Sequence, residues 1–214
     1  MCFSATASFA SGTALSIMGT AAIIRNKDKK NIALATIPLF FGIQQIFEGF
    51  VWNTASATLY HQISVYGFLA FALVFWPFYA PLAFYLTEKN RLRKKIMGVL
   101  FLLGITVSFY FLILLITQTI YSEVANNSIA YIIDAPLVIF FTIVYFIATC
   151  TSALTSSHKR LRNFGILLTI SLALSLYFYF VTFTSVWCFF AAILSIIIFL
   201  YINDEYKQHA KQKI

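Results

Sequence analysis

The chain has 214 residues, of which 61% are hydrophobic and only 10% are charged, and its mean hydropathy is +0.86. Soluble domains have about 25% charged residues. This composition therefore excludes a soluble domain and predicts an integral membrane protein. The net charge of +8 does not indicate nucleic-acid binding, because the basic residues form short clusters between apolar segments, as in multi-pass membrane proteins. An all-α fold is expected, since barrel strands would alternate polar and apolar residues.

The first apolar segment, residues 1–24, is followed by four basic residues. A cleaved signal peptide has its basic residues before the apolar stretch, so this order predicts an uncleaved first helix with its amino end outside. Ser8, Gly12, Ser16 and Thr20 recur at every fourth position. Small residues at this spacing let helices approach closely, and the first helix is therefore expected in the centre of the bundle.

Six further spans are predicted, each near the roughly 20 residues that a hydrocarbon core of about 30 Å requires. They cover residues 31–52, 64–86, 96–118, 129–153, 164–183 and 184–203, and the polar residues 204–214 are expected to form a frayed cytoplasmic tail. All fifteen Lys and Arg residues follow spans one, three, five and seven. By the positive-inside rule, a seven-helix bundle has its amino terminus outside and its carboxyl terminus in the cytoplasm. The basic clusters are interpreted as topology determinants, with binding of anionic lipid or a partner as the alternative.

The second span contains Gln44, Gln45 and Glu48 within an otherwise apolar run. A carboxylate there costs from roughly 2.5 kcal/mol on insertion scales to several times more in simulations, and is by default a functional-site hypothesis. Residues three or four apart share a helix face, so these side chains and Trp52 point the same way. Glu48 is expected roughly 7 Å below the outer surface, at 1.5 Å per residue.

The topology brings further candidate ligands to the outer end. His61 begins the third span, and Met1 and Cys2 precede the first. The terminal amine, the two sulfurs, the Glu48 oxygen and the His61 nitrogen form a ligand set that suits zinc or copper, and the sulfurs favour copper. The predicted metal ligands are therefore Met1, Cys2, Glu48 and His61.

Five more residues are expected around the ion, where groups that orient the ligands lie. They are Gln44, Gln45, Trp52, Asp134 and Cys188. The expected cofactor is thus copper or zinc, and the expected partners are the metal ion and the lipid bilayer. No protein partner follows from the sequence.

Each of these residues also has a simpler interpretation. Glu48 can serve only as a hydrogen-bonding group between helices, and His61 can be a surface residue. Trp52 can belong to an interfacial aromatic belt, and Asp134 can stabilise a helix start. Cys188 can form a disulfide with Cys2 on the oxidising side.

Three functions remain open. The leading hypothesis is a metal-binding membrane protein, copper before zinc, that serves redox chemistry, metal handling or sensing. The second is an intramembrane zinc hydrolase of lipid-like substrates, in which the metal activates water and Glu48 handles protons; the absence of histidine from the last two spans counts against it. The third is a proton-coupled transporter or receptor that uses Glu48 and Asp134. Whether the protein is an enzyme stays open.

Two stretches, MCFSATASF at the start and IPLFFGIQQIFEGFVW in the second span, resemble an uncharacterised family of small bacterial multi-pass membrane proteins. Members of that family open with MCFSA-x-ASF and carry a (H/Q)Q-x-x-EG-x-x-W pattern. The resemblance implies that residues 1–9, Gln45, Glu48, Gly49 and Trp52 form one functional unit in a bacterial inner membrane, and it implies no particular activity. The family's pattern admits His or Gln at its first position, and this chain has Gln44. Because the chain lacks the His that would bind a metal, direct metal ligation by Gln44 is not expected.

Overall fold

The computed structural model describes residues 4–54, 58–125 and 127–211, and most of them are helical. The helices are α1 (Ala5–Arg25), α2 (Ile32–Ala35), α3 (Ile37–Asn53), α4 (Leu59–Leu69), α5 (Trp76–Thr87), α6 (Arg91–Thr117), α7 (Val138–Leu154), α8 (Lys159–Phe178), α9 (Phe183–Leu194) and α10 (Ile196–Lys211). Short 3-10 turns cover Lys29–Asn31 and Phe180–Thr182, and a π-helical turn covers Ala70–Phe75. Strands β1 (Tyr121–Ala125) and β2 (Ser128–Ile132) form an antiparallel hairpin.

In the described part of the chain, six helical stretches are long and apolar enough to cross a membrane. They are Ala5–Arg25, Lys29–Asn53, Leu59–Thr87, Arg91–Thr117, Lys159–Phe178 and Phe180–Ala210. A seventh apolar helix, Val138–Leu154, is shorter. This is the helical, multi-pass build that the composition predicts.

The prediction of a fifth span over residues 129–153 is wrong at the start of that span. Residues 129–132 belong to β2, and α7 begins only at Val138. Pro136 disfavours helical backbone at the residue before it, and Leu137 adopts a left-handed conformation with φ 63°. A helix therefore cannot continue through this segment, and α7 has only 17 residues.

Helix α1 lies at the edge of the bundle and not in its centre as expected. Only 28% of its most apolar stretch is buried, against 61% for Lys29–Asn53. Its small residues do allow close packing on α3, because a Cβ on Gly12 would lie 2.9 Å from the carbonyl oxygen of Gly42. Further along the same contact, the ring of Phe9 lies against Gly49, so α1 and α3 are antiparallel neighbours.

The third span is interrupted before Pro77, which has no N–H to donate. Trp76 follows the π-helical turn and caps it. Its backbone N–H donates to the carbonyl of Phe71, five residues earlier. The Trp76 indole is buried and stacks on Phe41 of α3, with ring centroids 3.9 Å apart. A large polar-tipped side chain thus reaches α3 from the middle of this span.

The two ends of the bundle differ. The β1–β2 hairpin contacts the start of α4, where His61 Nε2 lies 2.8 Å from Ser122 Oγ, and we call this the hairpin end. The opposite end, which carries the loops before α6 and α8, is called the basic end. There α10 continues to Lys211, so the residues expected to form a frayed tail are helical that far. The ion pair between Arg160 and Asp204, at 2.5 Å, joins α10 to the start of α8.

Candidate functional site

A group of buried polar side chains lies between α3, α5 and α9, towards the hairpin end. We call it the Glu48 cluster, and it consists of Gln44, Gln45, Glu48, Trp76, Ser185 and Cys188. The carboxylate, both amides and the serine are 0% exposed. So many polar groups inside an apolar bundle are costly unless they bond to one another or to a ligand.

The Glu48 carboxylate accepts hydrogen bonds from neutral donors on two helices. Ser185 Oγ of α9 donates to Oε1 at 2.5 Å, and Gln45 Nε2 donates to Oε2 at 3.2 Å. The Ser185 bond is at the short end of the range for O–H···O contacts. Glu48 therefore connects α3 to α9 through the side chain of Ser185.

The amides of Gln44 and Gln45 keep part of their hydrogen-bonding capacity. Trp76 Nε1 donates to Gln44 Oε1 at 2.6 Å, and the Gln44 amide contacts the thiol of Cys188, which is a weak acceptor. Apart from that sulfur, Gln44 Nε2 has no hydrogen-bond partner among the described residues, and neither has Gln45 Oε1. Such groups are uncommon in protein interiors, so the cluster offers one donor and one acceptor to a further group.

A narrow cavity adjoins the cluster. Its volume is about 30 Å³, and Trp76 and Cys188 line it together with Tyr145 and Thr149 of α7. A water molecule requires about 10–15 Å³ by this measure. The cavity therefore has room for about two waters beside the Cys188 thiol.

His61 belongs to a separate polar group at the hairpin end. Its Nδ1 lies 3.1 Å from Thr54 Oγ1, and its Nε2 lies 2.8 Å from Ser122 Oγ. A pocket of about 440 Å³ beside it is also lined by Trp52 and Glu123. Because both ring nitrogens already have hydroxyl partners, His61 would have to exchange one of them to bind a metal ion.

The other predicted site residues have different positions. Asp134 is exposed in the segment between β2 and α7, so it is not part of the Glu48 cluster. Trp52 Nε1 is buried with no hydrogen-bond partner in the described ranges. Cys188 is a buried thiol, and the alternative of a disulfide with Cys2 involves a residue outside the described ranges. Met1 and Cys2 themselves lie outside the described residues.

Within the described ranges, no group of three or more His, Cys, Asp or Glu side chains is placed to hold a metal ion. Two members of the cluster, Trp76 and Ser185, were not singled out by the sequence. Serine is common in membrane helices, so nothing marks Ser185. The sequence marks Trp76 only through its position before Pro77. Proline has no N–H to donate, so the helical hydrogen bonds must change at this point.

A second buried acid, Glu88, lies at the basic end just after α5. Its Oε1 accepts hydrogen bonds from the N–H groups of Lys89 and Asn90, at 3.0 and 2.9 Å, and from Ser157 Oγ, at 2.7 Å. Its Oε2 accepts from the Ser157 N–H at 2.8 Å. Burial by itself raises the pKa of Glu88, but these hydrogen bonds outweigh burial and hold the pKa below its usual value. Glu88 is thus an anionic link between the loops before α6 and α8.

A family model described as a family of unknown function (DUF6629) matches residues 1–213. No curated protein and no solved structure matches the sequence.

Proposed function

The chain belongs to this DUF6629 family of unknown function, and we propose that it is a membrane protein that binds a transition-metal ion, copper before zinc, at the hairpin end. The observation that supports this most directly is the burial of Glu48 in a polar cluster with unused donor and acceptor atoms. A carboxylate oxygen is a ligand for such ions. Membrane proteins retain a buried acid mainly where it has a function.

The second ligand in this proposal is the thiolate of Cys2. The ring of Phe9 lies against Gly49, the residue after Glu48, so α1 begins at the hairpin end. From Phe9 to Ser4, which caps α1, the helix rises about 7 Å at 1.5 Å per residue. Ser4 therefore lies at the hairpin end, and Cys2, two residues before it in the sequence, is within about 7 Å of Ser4 along an extended chain.

The rest of the cluster has supporting roles in the proposed site. Gln45 and Ser185 hold the Glu48 carboxylate, which is how residues beyond the ligands orient a metal site. Met1 and His61 are the further ligands, and His61 would exchange a hydroxyl partner for the ion. The soft sulfurs of Met1 and Cys2 favour copper over zinc. A bound copper ion would serve electron transfer, metal handling or sensing at the end of the bundle that the basic residues predict to be outside.

The test is metal content per chain, measured by mass spectrometry of the elements on purified protein with no tag before Met1. We expect about one copper or zinc ion per chain after loading and dialysis. Glu48→Gln and Cys2→Ser should each lower the affinity by about tenfold or more, since even residues that only orient a ligand have effects of that size.

Matched controls are available within the chain. Glu123→Gln changes an exposed carboxylate at the hairpin end, and Cys150→Ser changes a buried thiol outside the cluster. Both should retain the metal. The proposal is wrong if the unaltered protein holds neither metal, or if Glu48→Gln binds as tightly as Glu123→Gln.

Proton-coupled transport is a second candidate, and the nature of the donor at Glu48 favours it. The Ser185 hydroxyl donates to a carboxylate and can equally accept from a protonated carboxyl group, so this hydrogen bond is compatible with either state of Glu48. Asp134, exposed beyond β2, would then exchange protons with the solution.

In proteoliposomes with an internal pH dye, Glu48→Gln should abolish a proton flux that Glu123→Gln leaves intact. Equal fluxes in both variants would exclude this function. No such observation in the described ranges favours the zinc hydrolase.

A further inference from the structure

The most concentrated basic cluster lies where α6 begins. Residues 89–95 contain five Lys and Arg side chains and no acid. The adjoining acid, Glu88, already accepts hydrogen bonds from Lys89, Asn90 and Ser157. The carboxylate next to this cluster in the sequence is therefore already hydrogen-bonded to other groups.

A groove on the surface of α6 combines three of these cations with apolar walls. Its volume is about 550 Å³. Its lining includes Arg91, Lys94 and Lys95 on the basic side and Gly98, Val99 and Leu102 further along α6. Residues three or four apart share a helix face, so the basic side chains and Val99 and Leu102 lie along one stripe. Val99 is 55% exposed and Leu102 is 63% exposed.

The order of these residues along α6 matches the layers of a membrane. Arg91 begins the helix, and at 1.5 Å per residue Val99 and Leu102 lie about 12 and 17 Å further along. The headgroup region of one leaflet is about 5–7 Å thick. The cations are therefore at headgroup depth when Val99 and Leu102 are among the acyl chains.

We propose that this groove binds one anionic glycerophospholipid. The phosphate lies among Arg91, Lys94 and Lys95, and the first carbons of one acyl chain lie on Val99 and Leu102. Charge complementarity supports this occupant, because a basic side chain near a membrane surface attracts anionic lipid.

The walls of the groove are suited to such a ligand. Lys94 Nζ lies 4.8 Å from the centroid of the Tyr85 ring, a cation–π contact that holds the ammonium beside the groove. Gly98 leaves space between the helix and that ring, since a Cβ there would first meet Tyr85 at 3.5 Å. The glycine thus forms the floor between the cations and the apolar side chains.

Two arginines elsewhere at this end have partners within the protein. Arg160 pairs with Asp204, and Arg25 Nη1 donates to Asn203 Oδ1 at 2.9 Å. In the described ranges the Arg160–Asp204 contact is the one ion pair, so no acid neutralises the groove. The groove cations differ from these two arginines in this respect, and they also adjoin the exposed apolar side chains of Val99 and Leu102.

The test is lipid retention by the full chain in neutral detergent, counted by native mass spectrometry. We expect one dioleoylphosphatidylglycerol to stay bound under conditions that remove dioleoylphosphatidylcholine. The triple variant Arg91→Gln, Lys94→Gln, Lys95→Gln should lower the affinity for the anionic lipid by about tenfold or more, since each cation contributes at the surface.

The matched control removes three charges at the same end of the bundle, with Lys159→Gln, Arg160→Gln and Arg162→Gln. This control should retain the lipid. An equal loss in both triple variants would show that diffuse charge attracts the lipid, and would overturn the proposal. Equal retention of the two lipids by the unaltered chain would overturn it as well.

Gly98→Leu tests the apolar part without a change of charge. The larger side chain fills the groove, so we expect it to lower phosphatidylglycerol retention by about tenfold, as displacement of a well-fitted ligand does. This variant decides the question if the triple variant does not fold, because unchanged retention would exclude the groove as the site. Glycerol 3-phosphate, which has the headgroup chemistry without acyl chains, should not displace the lipid at equal concentration. Displacement would identify a free-phosphate site instead.

Discussion

Glu48 and Glu88 are both buried carboxylates, 0% and 3% exposed, and they differ in what holds them. Glu88 accepts three backbone N–H groups and one hydroxyl from two loops at the basic end. Glu48 accepts from side chains of Gln45 and Ser185 inside the bundle. Backbone donors cannot turn away without refolding a loop, whereas side-chain donors can reorient towards a ligand. Burial of an acid is therefore a weaker sign of a functional site than the kind of donor that surrounds it.

The chemistry next to each acid supports the same distinction. Around Glu88 the donors belong to the chain segments that the acid joins, and the anion is the state that they stabilise. Around Glu48, two neighbouring amides have unused capacity, one donor on Gln44 and one acceptor on Gln45. We interpret Glu88 as a structural residue and Glu48 as a binding residue.

The largest effect on stability is expected from Glu88→Ala. Removal of this carboxylate deletes four hydrogen bonds to a charged group, each of which contributes about 1.5–3 kcal/mol. Because Lys89, Asn90 and Ser157 are exposed, water replaces part of this contribution, and we expect a loss of about 3 kcal/mol of the free energy of unfolding. The measurement is an unfolding titration in mixed micelles, with Glu123→Ala as the control for an exposed carboxylate. If Glu88 is structural and Glu48 binds the metal, folded Glu88→Ala should keep the metal, and Glu48→Gln should keep most of its free energy of unfolding. Loss of the metal in Glu88→Ala, or a large loss of stability in Glu48→Gln, would contradict this distinction between the two acids.

Ser185→Ala is expected to have an intermediate effect. It deletes the 2.5 Å hydrogen bond to Glu48, and a hydrogen bond to a charged group contributes about 1.5–3 kcal/mol. Ser195→Ala is the matched control, because Ser195 is equally buried but donates to Ala192 of α9, the helix that it caps. That change should be close to neutral. Ser185→Thr retains the hydroxyl and should recover both stability and metal affinity. If Ser185→Ala and Ser195→Ala unfold alike, Ser185 does not hold Glu48.

The sequence was a good guide to the spans and a poor guide to the hairpin end. Hydropathy reports that a segment is buried, but it does not distinguish a buried strand from a helix. Ser128, Ile129 and Ala130 of β2 are at most 1% exposed, and most of β2 and α7 together read as one long apolar segment. Pro136 was visible, but a proline is tolerated in membrane helices and did not decide the matter.

The candidate site could be predicted only in part. Glu48 and the two glutamines stand out because they are polar within an apolar run. Their partners do not stand out, since Ser185 is 137 residues away in sequence from Glu48 and is an ordinary residue for a membrane helix. Glu88 was missed for the opposite reason. It lies in a charged stretch typical of a surface loop, and Ser157, to which it is hydrogen-bonded, lies 69 residues later.

The smallest effect is expected from acid, and it isolates Glu88. Its pKa is lowered in the folded protein from an ordinary value of 4.5. A group with a lowered pKa stabilises the fold above its unfolded pKa, and that contribution is lost as the pH falls through the folded pKa. Protonation removes only the part of the Glu88 contribution that depends on its charge, so we expect a smaller loss from acid than from Glu88→Ala. The measurement is the free energy of unfolding from pH 7 to pH 3 for the unaltered chain and for Glu88→Gln. The stability advantage of the unaltered chain should be constant above about pH 5 and should shrink below it, because the other acids titrate alike in both proteins. An advantage that stays constant down to pH 3 would show that the Glu88 hydrogen bonds do not depend on its charge.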